Sequence, residues 1–217
     1  MTGFEPYGGR PFNPAYDVMR ALDGSSIAGR RVIGRALPVV LHPLAAEIAR
    51  LIEEFRPAGI IALGLYPGEP MLRLERIGIN VTDFDIPDNS GAVVRDEPLR
   101  EDAAAGLFAT LPLRSIETRL LAEGIPAKLS TTAGAYLCNA CLYTLLHELD
   151  RQRLPVPAGF IHVPYTPEQV AALIVEGRCS AASDMQKRTE LPSMELARMV
   201  RGVEIAIETT VRETVTA

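Results

Sequence analysis

Cysteine and histidine are the side chains best suited to nucleophilic and proton-transfer chemistry near neutral pH. This chain has three of each: Cys138, Cys141 and Cys179, and His42, His147 and His162. Cys138 lies in Ser130 to His147, STTAGAYLCNACLYTLLH, where small residues and Gly134 give way to a helix rich in Leu and Ala. At a helix start the unpaired N–H groups and the positive dipole end favour a thiolate. Gly134 and Ala135 leave the approach to the sulfur open. The plainer reading of such a cysteine is a small buried apolar residue. A nucleophilic cysteine needs a base within reach. His147 lies nine residues further along the same helix, half a turn round and about 13 Å along the axis, so it cannot serve Cys138. His42 precedes Pro43 and reads as a cap or loop residue. His162 remains, near the end of the apolar run Gly159-Phe160-Ile161-His162-Val163 that Pro164 stops. Its bland alternative is a strand histidine with its hydrogen bonds satisfied.

The elements that must position these residues follow from periodicity and punctuation. Thr2 to Gly9 reads as a loop. Asn13-Pro14 opens a helix over about Ala15 to Leu22, and Arg31 to Val40 is β-branched enough for a strand. Apolar residues at 44, 48, 51, 52 and 55 predict a helix from Pro43 to Phe55. Gly59 to Gly64 reads as a strand covered on both faces, and Leu72 to Val81 as another. Thr82 to Val94 contains turn chemistry in Ile86-Pro87-Asp88-Asn89-Ser90-Gly91. A helix over Leu113 to Glu123 ends at Gly124. Then come a strand ending at Ser130, the Cys138 helix, the His162 strand, and a helix over Pro167 to Val175. A polar loop over 179–191 and a last helix from Pro192 to about Glu213 complete the chain. This alternation implies an α/β fold with a mainly parallel sheet between helical layers, and sites in such sheets lie beyond the carboxyl ends of the strands. Parallel strands joined by one crossover helix are often neighbours, so Cys138 and His162 are expected to meet.

With 217 residues, the chain reads as one domain, residues 1–217, long enough to bury roughly 70% of its unfolded surface. A net charge of −5, without long Lys or Arg runs, argues against nucleic acid or an anionic membrane as partner. No apolar run reaches the ~20 residues that span a bilayer, and the polar, glycine-rich start does not read as a signal peptide. Three cysteines without framework spacing fit reduced thiols in the cytosol. The histidines are scattered and no HExxH occurs, so metal-dependent hydrolysis is not expected.

Five separated stretches carry a resemblance to a known family. They are Thr2-Gly3-Phe4-Glu5-Pro6-Tyr7-Gly8-Gly9, Glu75-Arg76-Ile77-Gly78-Ile79-Asn80, Ile86-Pro87-Asp88-Asn89, Ser130 through Asn139, and Gly159-Phe160-Ile161-His162-Val163-Pro164. In this order the chain resembles pyroglutamyl peptidase I, a cysteine peptidase family, from Thr2 to about Gln169. The resemblance implies a three-layer α/β/α sandwich, no cofactor, a cytoplasmic location and a homotetramer. Its reaction removes an N-terminal pyroglutamyl residue from a peptide. It maps a catalytic triad onto Glu75, Cys138 and His162, although Glu75, in a charged Arg73-Leu74-Glu75-Arg76 run, reads by itself as a surface glutamate. It maps the walls of the lactam slot onto Phe4, Tyr7, Ile86, Tyr136 and Leu137, and the lactam carbonyl's partner onto Asn13. Plain core packing is the alternative for Phe4 and Tyr7.

The chain departs from that pattern in several places. Met1 directly precedes Thr2-Gly3-Phe4, where the family has a short apolar strand, leaving a misassigned start or a shortened first strand as the alternatives. Tyr66-Pro67-Gly68-Glu69 replaces Ala-Gly-Gly-Arg, and Asp85 replaces an arginine thought to help at the oxyanion, with Arg73 or Arg76 as candidates to pair with it. Tyr7 and Tyr136 stand where phenylalanine is usual, which implies a more polar slot. A divergent cysteine hydrolase of another small amide, and a non-catalytic protein that binds pyroglutamyl peptides, are the competing functions. Retention of Glu75, Cys138 and His162 together argues against the second.

Overall fold

The computed structural model describes residues 1–179 and 191–216. The elements in chain order are β1 (Thr2–Phe4), α1 (Pro14–Leu22), β2 (Ser26–Ile27), β3 (Arg30–Arg31), β4 (Arg35–Leu37), α2 (Leu41–Phe55), β5 (Ile60–Leu65), β6 (Leu72–Glu75), β7 (Ile77–Ile79) and β8 (Gly106–Phe108). They continue with α3 (Leu113–Ala122), β9 (Ala127–Ser130), α4 (Leu137–Arg151), β10 (Ala158–Val163), α5 (Pro167–Cys179) and α6 (Leu196–Thr216). Asn13 caps α1: its Oδ1 accepts from the Ala15 N–H at 3.1 Å, with Pro14 in the first turn, where a missing N–H costs nothing. At the start of α2 Val40 offers no side-chain cap, and the Asp88 carboxylate, far along the chain, supplies it through a 2.9 Å bond from the Leu41 N–H.

Six strands form one sheet in the order β4-β1-β5-β10-β6-β9. The pairings are parallel except β10 with β6. Along β5 and β10 the side chains alternate between two cores. Ile61, Leu63, Ile161 and Val163 join Leu72 and Leu74 in a cluster with α1, α3 and α6. Ile60, Ala62, Ala158 and Phe160 join Phe4 in the opposite cluster with α2 and α4. The result is the expected three-layer sandwich. Phe160 and Phe84 are both fully buried, and truncating either to Ala should cost about 3–5 kcal/mol.

Four sequence readings need correction. Thr2–Phe4 is not a loop but a strand inside the sheet, paired on both sides; Gly3 permits this because a Cβ there would lie 2.4 Å from the Ala15 carbonyl oxygen. Arg31 to Val40 contributes only the three-residue β4 to the main sheet, because Arg30–Arg31 turns back to pair with Ser26–Ile27. Leu72 to Val81 is two strands: exposed Arg76 breaks the run, and β7 leaves to pair with β8. Strand β9 is not the neighbour of β10, since β6 lies between them and runs antiparallel to β10. The polar loop expected over 179–191 lies outside the described residues except at its ends, where Cys179 closes α5.

Candidate active site

His162 is the penultimate residue of β10 and is buried. Its Nδ1 lies 2.8 Å from Oε1 of Glu75, the last residue of β6. Glu75 is fully buried, not a surface residue. A carboxylate at this distance selects the tautomer in which Nδ1–H donates, which leaves Nε2 free to accept a proton. Glu75 Oε2 has no hydrogen-bond partner among the described residues. Burial pulls the Glu75 carboxyl upward, but the hydrogen bond and charge of His162, with Ser130 and Arg73, outweigh it and hold the group below the ordinary range. Burial acts oppositely on His162 and lowers its proton affinity despite the Glu75 carboxylate.

Cys138 is the second residue of α4, partly exposed, and carries a free thiol. Its backbone N–H is one of the four that a helix start leaves unpaired. The sulfur lies over Gly64: a Cβ built there would come within 2.8 Å of Sγ and 2.7 Å of Phe160 Cζ. Gly64 is the register partner of His162 across the β5–β10 pair, which places the two backbones about 5 Å apart. The thiol therefore sits on the imidazole's face of the sheet, one strand over. The sulfur reaches this face because the Thr131–Tyr136 connection carries the chain back over the sheet, not because β9 and β10 adjoin. Helix position alone favoured a thiolate at Cys138, yet burial, reinforced by the Glu75 charge, pushes its pKa up to about 12. A thiol so shifted is protonated near pH 7.

Of the other residues singled out, Phe4 and Leu137 are buried in the α2–α4 core, with Tyr7, Tyr136 and Cys138 packed against that same cluster. The Tyr7 and Tyr136 ring centroids are 6.5 Å apart, and Tyr136 sets an edge against Phe84 at 4.6 Å. The Tyr136 hydroxyl donates to the Pro87 carbonyl at 3.1 Å, which absorbs the polarity expected of the slot. Burial raises the Tyr7 pKa, with Cys138 next among the causes. Ile86 is half exposed. Asn13 is buried: besides its cap it donates from Nδ2 to the Glu5 carbonyl at 3.0 Å. His147 stacks on Tyr143 at 6.1 Å, and His42 is exposed in the first turn of α2. The Asp85 side chain points fully into solvent, and its ion-pair partner is Arg95 at 3.7 Å, neither Arg73 nor Arg76.

Several supporting residues escaped sequence reasoning. Asn139 is buried and bonds Ile79 N–H, Ile79 C=O and Val81 C=O, each at 2.9 Å, pinning the first turn of α4 to β7. Asp88 accepts from Leu41 and from Ser90 and Ala92, while Asn89 donates to the Pro6 carbonyl at 3.0 Å. The Ile86 loop is thereby tied to α2, to the Tyr7 loop and to Tyr136. Arg73 donates from Nε to Glu75 Oε1 at 3.0 Å, an arrangement treated below. The spacing Asp88-x-Ser90, an Asx-type turn, was the one signal in the sequence for these ties.

Among the described residues, no group of three or more His, Cys, Asp or Glu side chains is placed to hold a metal, and no helix is long and apolar enough to cross a membrane. A family model described as pyroglutamyl peptidase matches residues 1–213. The pyrrolidone-carboxylate peptidase of Bacillus cereus strain Q1 is 39% identical over 210 residues, covering 97% of this chain and 91% of its own length. That of Pyrococcus furiosus is 39% identical over 213 residues, covering 98% and 97%. A crystal structure of pyrrolidone carboxyl peptidase from Pyrococcus furiosus superposes with a TM-score of 0.90 over 98% of this chain and 97% of that one, at 39% identity.

Proposed function

Because the chain belongs to the pyroglutamyl peptidase family, we propose that it removes an N-terminal pyroglutamyl residue from peptides, with Cys138 as nucleophile, His162 as general base and acid, and Glu75 as the carboxylate behind the imidazole. The observation that carries the reading is the 2.8 Å His162–Glu75 hydrogen bond on the sheet face over which the Cys138 sulfur sits. His162 Nε2 takes the thiol proton as Sγ attacks the carbonyl carbon joining the lactam to the next residue. The Cys138 backbone N–H, at the helix start, faces the developing oxyanion. His162 returns the proton to the departing amine, leaving a thioester on Cys138. Water, deprotonated by His162, then releases pyroglutamate and restores the thiol. The scheme calls for no cofactor.

The lactam is a flat, uncharged, largely apolar ring with one amide edge and suits an apolar slot with few polar contacts. Phe4, Tyr7, Ile86, Tyr136 and Leu137 are its walls in this reading. Asn13 Nδ2 has a second N–H beyond the one spent on Glu5, and that proton meets the lactam carbonyl. Asp85, in place of a cation near the oxyanion, lowers turnover. The reading extends to a cytoplasmic setting, in keeping with free thiols at Cys138 and Cys141, and to a homo-oligomer, tetrameric by resemblance, which light scattering would test. Hydrolysis of pyroglutamyl-aminomethylcoumarin, abolished by iodoacetamide and by Cys138→Ala, is the expected result. Equal turnover of proline or unmodified glutamine amides would instead favour a hydrolase of another small amide.

A further inference from the structure

We infer that Arg73 and Glu69 act as a positioning pair for the reaction: Arg73 clamps the Glu75 carboxylate where it serves His162, and Glu69 cancels the Arg73 charge that an imidazolium at His162 would otherwise face. The inference rests on the reading of Cys138, His162 and Glu75 as the hydrolytic centre.

Glu75 Oε1 takes two donors, His162 Nδ1 at 2.8 Å and Arg73 Nε at 3.0 Å. The rest of the buried guanidinium is also engaged. Nη1 donates to Glu69 Oε2 at 3.2 Å, and Nη2 donates to Ser130 Oγ at 2.6 Å and to the Thr132 carbonyl at 2.8 Å. Its planar face lies 4.0 Å over the centre of the Tyr66 ring, which in turn sits 5.2 Å from the His162 ring, nearly perpendicular to it. A guanidinium held on its edge and face has little freedom, and neither has the carboxylate oxygen it grips. Glu69 is itself buried and receives Lys128 Nζ on Oε1 at 2.8 Å, and Lys128 reaches solvent. The charges therefore alternate from imidazole to surface: His162, Glu75, Arg73, Glu69, Lys128.

A cation hydrogen-bonded to the carboxylate behind a catalytic imidazole has two opposed effects. It fixes the carboxylate in place, and it disfavours the imidazolium on which general-base catalysis depends. An acid on the cation's far side removes the second effect and keeps the first. The charged and titratable groups around His162 are Glu75 and Arg73 on β6, Glu69 and the Tyr66 phenol on the β5–β6 connection, and Cys138 on α4. Lys128 of β9 acts through Glu69. Beyond burial, which lowers the proton affinity of His162, Glu75 and Glu69 raise it and Arg73 lowers it. Two of the residues involved, Tyr66 and Glu69, lie in the very stretch that departs from the family pattern.

The test reads His162 directly. In the Cys138→Ala protein, the His162 ring protons are titrated by NMR, with His42→Gln and His147→Gln giving the assignment. Glu69→Gln should move the His162 midpoint down, and Arg73→Met should move it up, each by roughly half a pH unit or more. In the protein with Cys138 intact, the acid limb of kcat/KM for a pyroglutamyl amide should shift in the same two directions, and kcat should fall in Arg73→Met. A purely structural pair would not give shifts of opposite sign. Midpoints that stay put, or move together, overturn the inference. Should Arg73→Met not fold, the near-isosteric Glu69→Gln decides alone: a lower midpoint supports the pair, and an unchanged or higher one refutes it. Because the titration needs no turnover, its outcome is separate from whether pyroglutamyl amides are cut, which the unmodified chain answers by itself.

Discussion

His162 and Glu75 stand on antiparallel neighbouring strands but are not opposite one another. Phe160 faces Glu75 and Arg73 faces His162, so the 2.8 Å contact between imidazole and carboxylate is the diagonal one. Long side chains span such diagonals in a sheet. The position directly across from His162 is thus left for a cation, and the imidazole's carboxylate and the guanidinium that grips that carboxylate come from one four-residue strand.

Replacing Glu75 by Gln should keep the shape of this diagonal while removing its charge. The imidazolium would then lose its hydrogen-bonded counter-charge while Arg73 keeps only Glu69, and an amide can present the wrong group to Nδ1. We expect kcat to fall by about 10³–10⁴, less than in Cys138→Ala, with circular dichroism unchanged. Wild-type turnover in this variant would remove Glu75 from the mechanism.

The neutral resting thiol has a pH signature. With the Cys138 pKa pushed up from 9.0 to about 12, its thiolate is scarce at pH 7 and grows about tenfold for each pH unit. Iodoacetamide should label Cys138 before the fully buried Cys141, at a rate that climbs from about pH 7 to 10 without levelling. A plateau beginning below about pH 7 would show a preformed thiolate–imidazolium pair. The same shift means that folding favours the protonated thiol, so Cys138 should erode stability as pH rises from about 9 toward 12, and Cys138→Ala should flatten that slope.

Gly64→Ala tests where the sulfur sits. The added methyl would lie 2.8 Å from Sγ and 2.7 Å from Phe160 Cζ. Overpacking of this kind costs about 1–3 kcal/mol of stability, and a displacement of the nucleophile near 1 Å costs about 10² in rate. A folded variant with normal kcat would place the thiol elsewhere.

Asp85 and Asp88 should behave differently although three residues apart. Asp85 is fully exposed, so Asp85→Ala should change kcat/KM less than about twofold, because an exposed charge is screened. Asp85→Arg should raise kcat more than it alters KM, by at most about 10² for a donor at the oxyanion. Burial raises the Asp88 carboxyl, but hydrogen bonds from Ser90, Leu41 and Ala92 outweigh this and hold it below 3.8. Its contribution to stability is therefore present above pH 3.8 and lost on acidification below it. Asp88→Ala should cost about 1 kcal/mol, roughly 2–4 °C in Tm, through the lost cap of α2, and should raise KM by loosening the Ile86 loop.

Local pattern carried the helices well. Asn13-Pro14 marks the start of α1, and Gly124, at φ 71°, marks the end of α3. The apolar runs at β5 and β10 proved buried along their whole length. Strand order was not legible, since nothing between Ser130 and Ala158 reveals that β6 will lie between β9 and β10. The β6–β7 break shows in the sequence only as a one-residue slip of the alternation, apolar at 72 and 74 and then at 77, 79 and 81, either side of Glu75-Arg76. At the site, His162 could be reached by elimination and Cys138 by its helix start, but the burial of Glu75 and the thiol's high pKa depend on what packs over them. The pairing of Arg73 with Glu69 was hidden for the same reason: one-dimensional pattern cannot show that ions of opposite sign neutralise each other inside.

Strand β10 is the last in sequence of the described strands, yet it lies third from one edge of the sheet, bonded on one side to β5 and on the other to β6. Without it, the remaining strands of the sheet can pair only as two separate pieces, β4-β1-β5 and β6-β9, each with an open inner edge of the kind that can recruit foreign chains. Insertion of Ala158–Val163 closes both edges and, in the same event, brings His162 to Glu75. On the proposed mechanism a chain lacking this strand would be sticky and would have no base for its thiol, so activity would arrive only with the completed sheet.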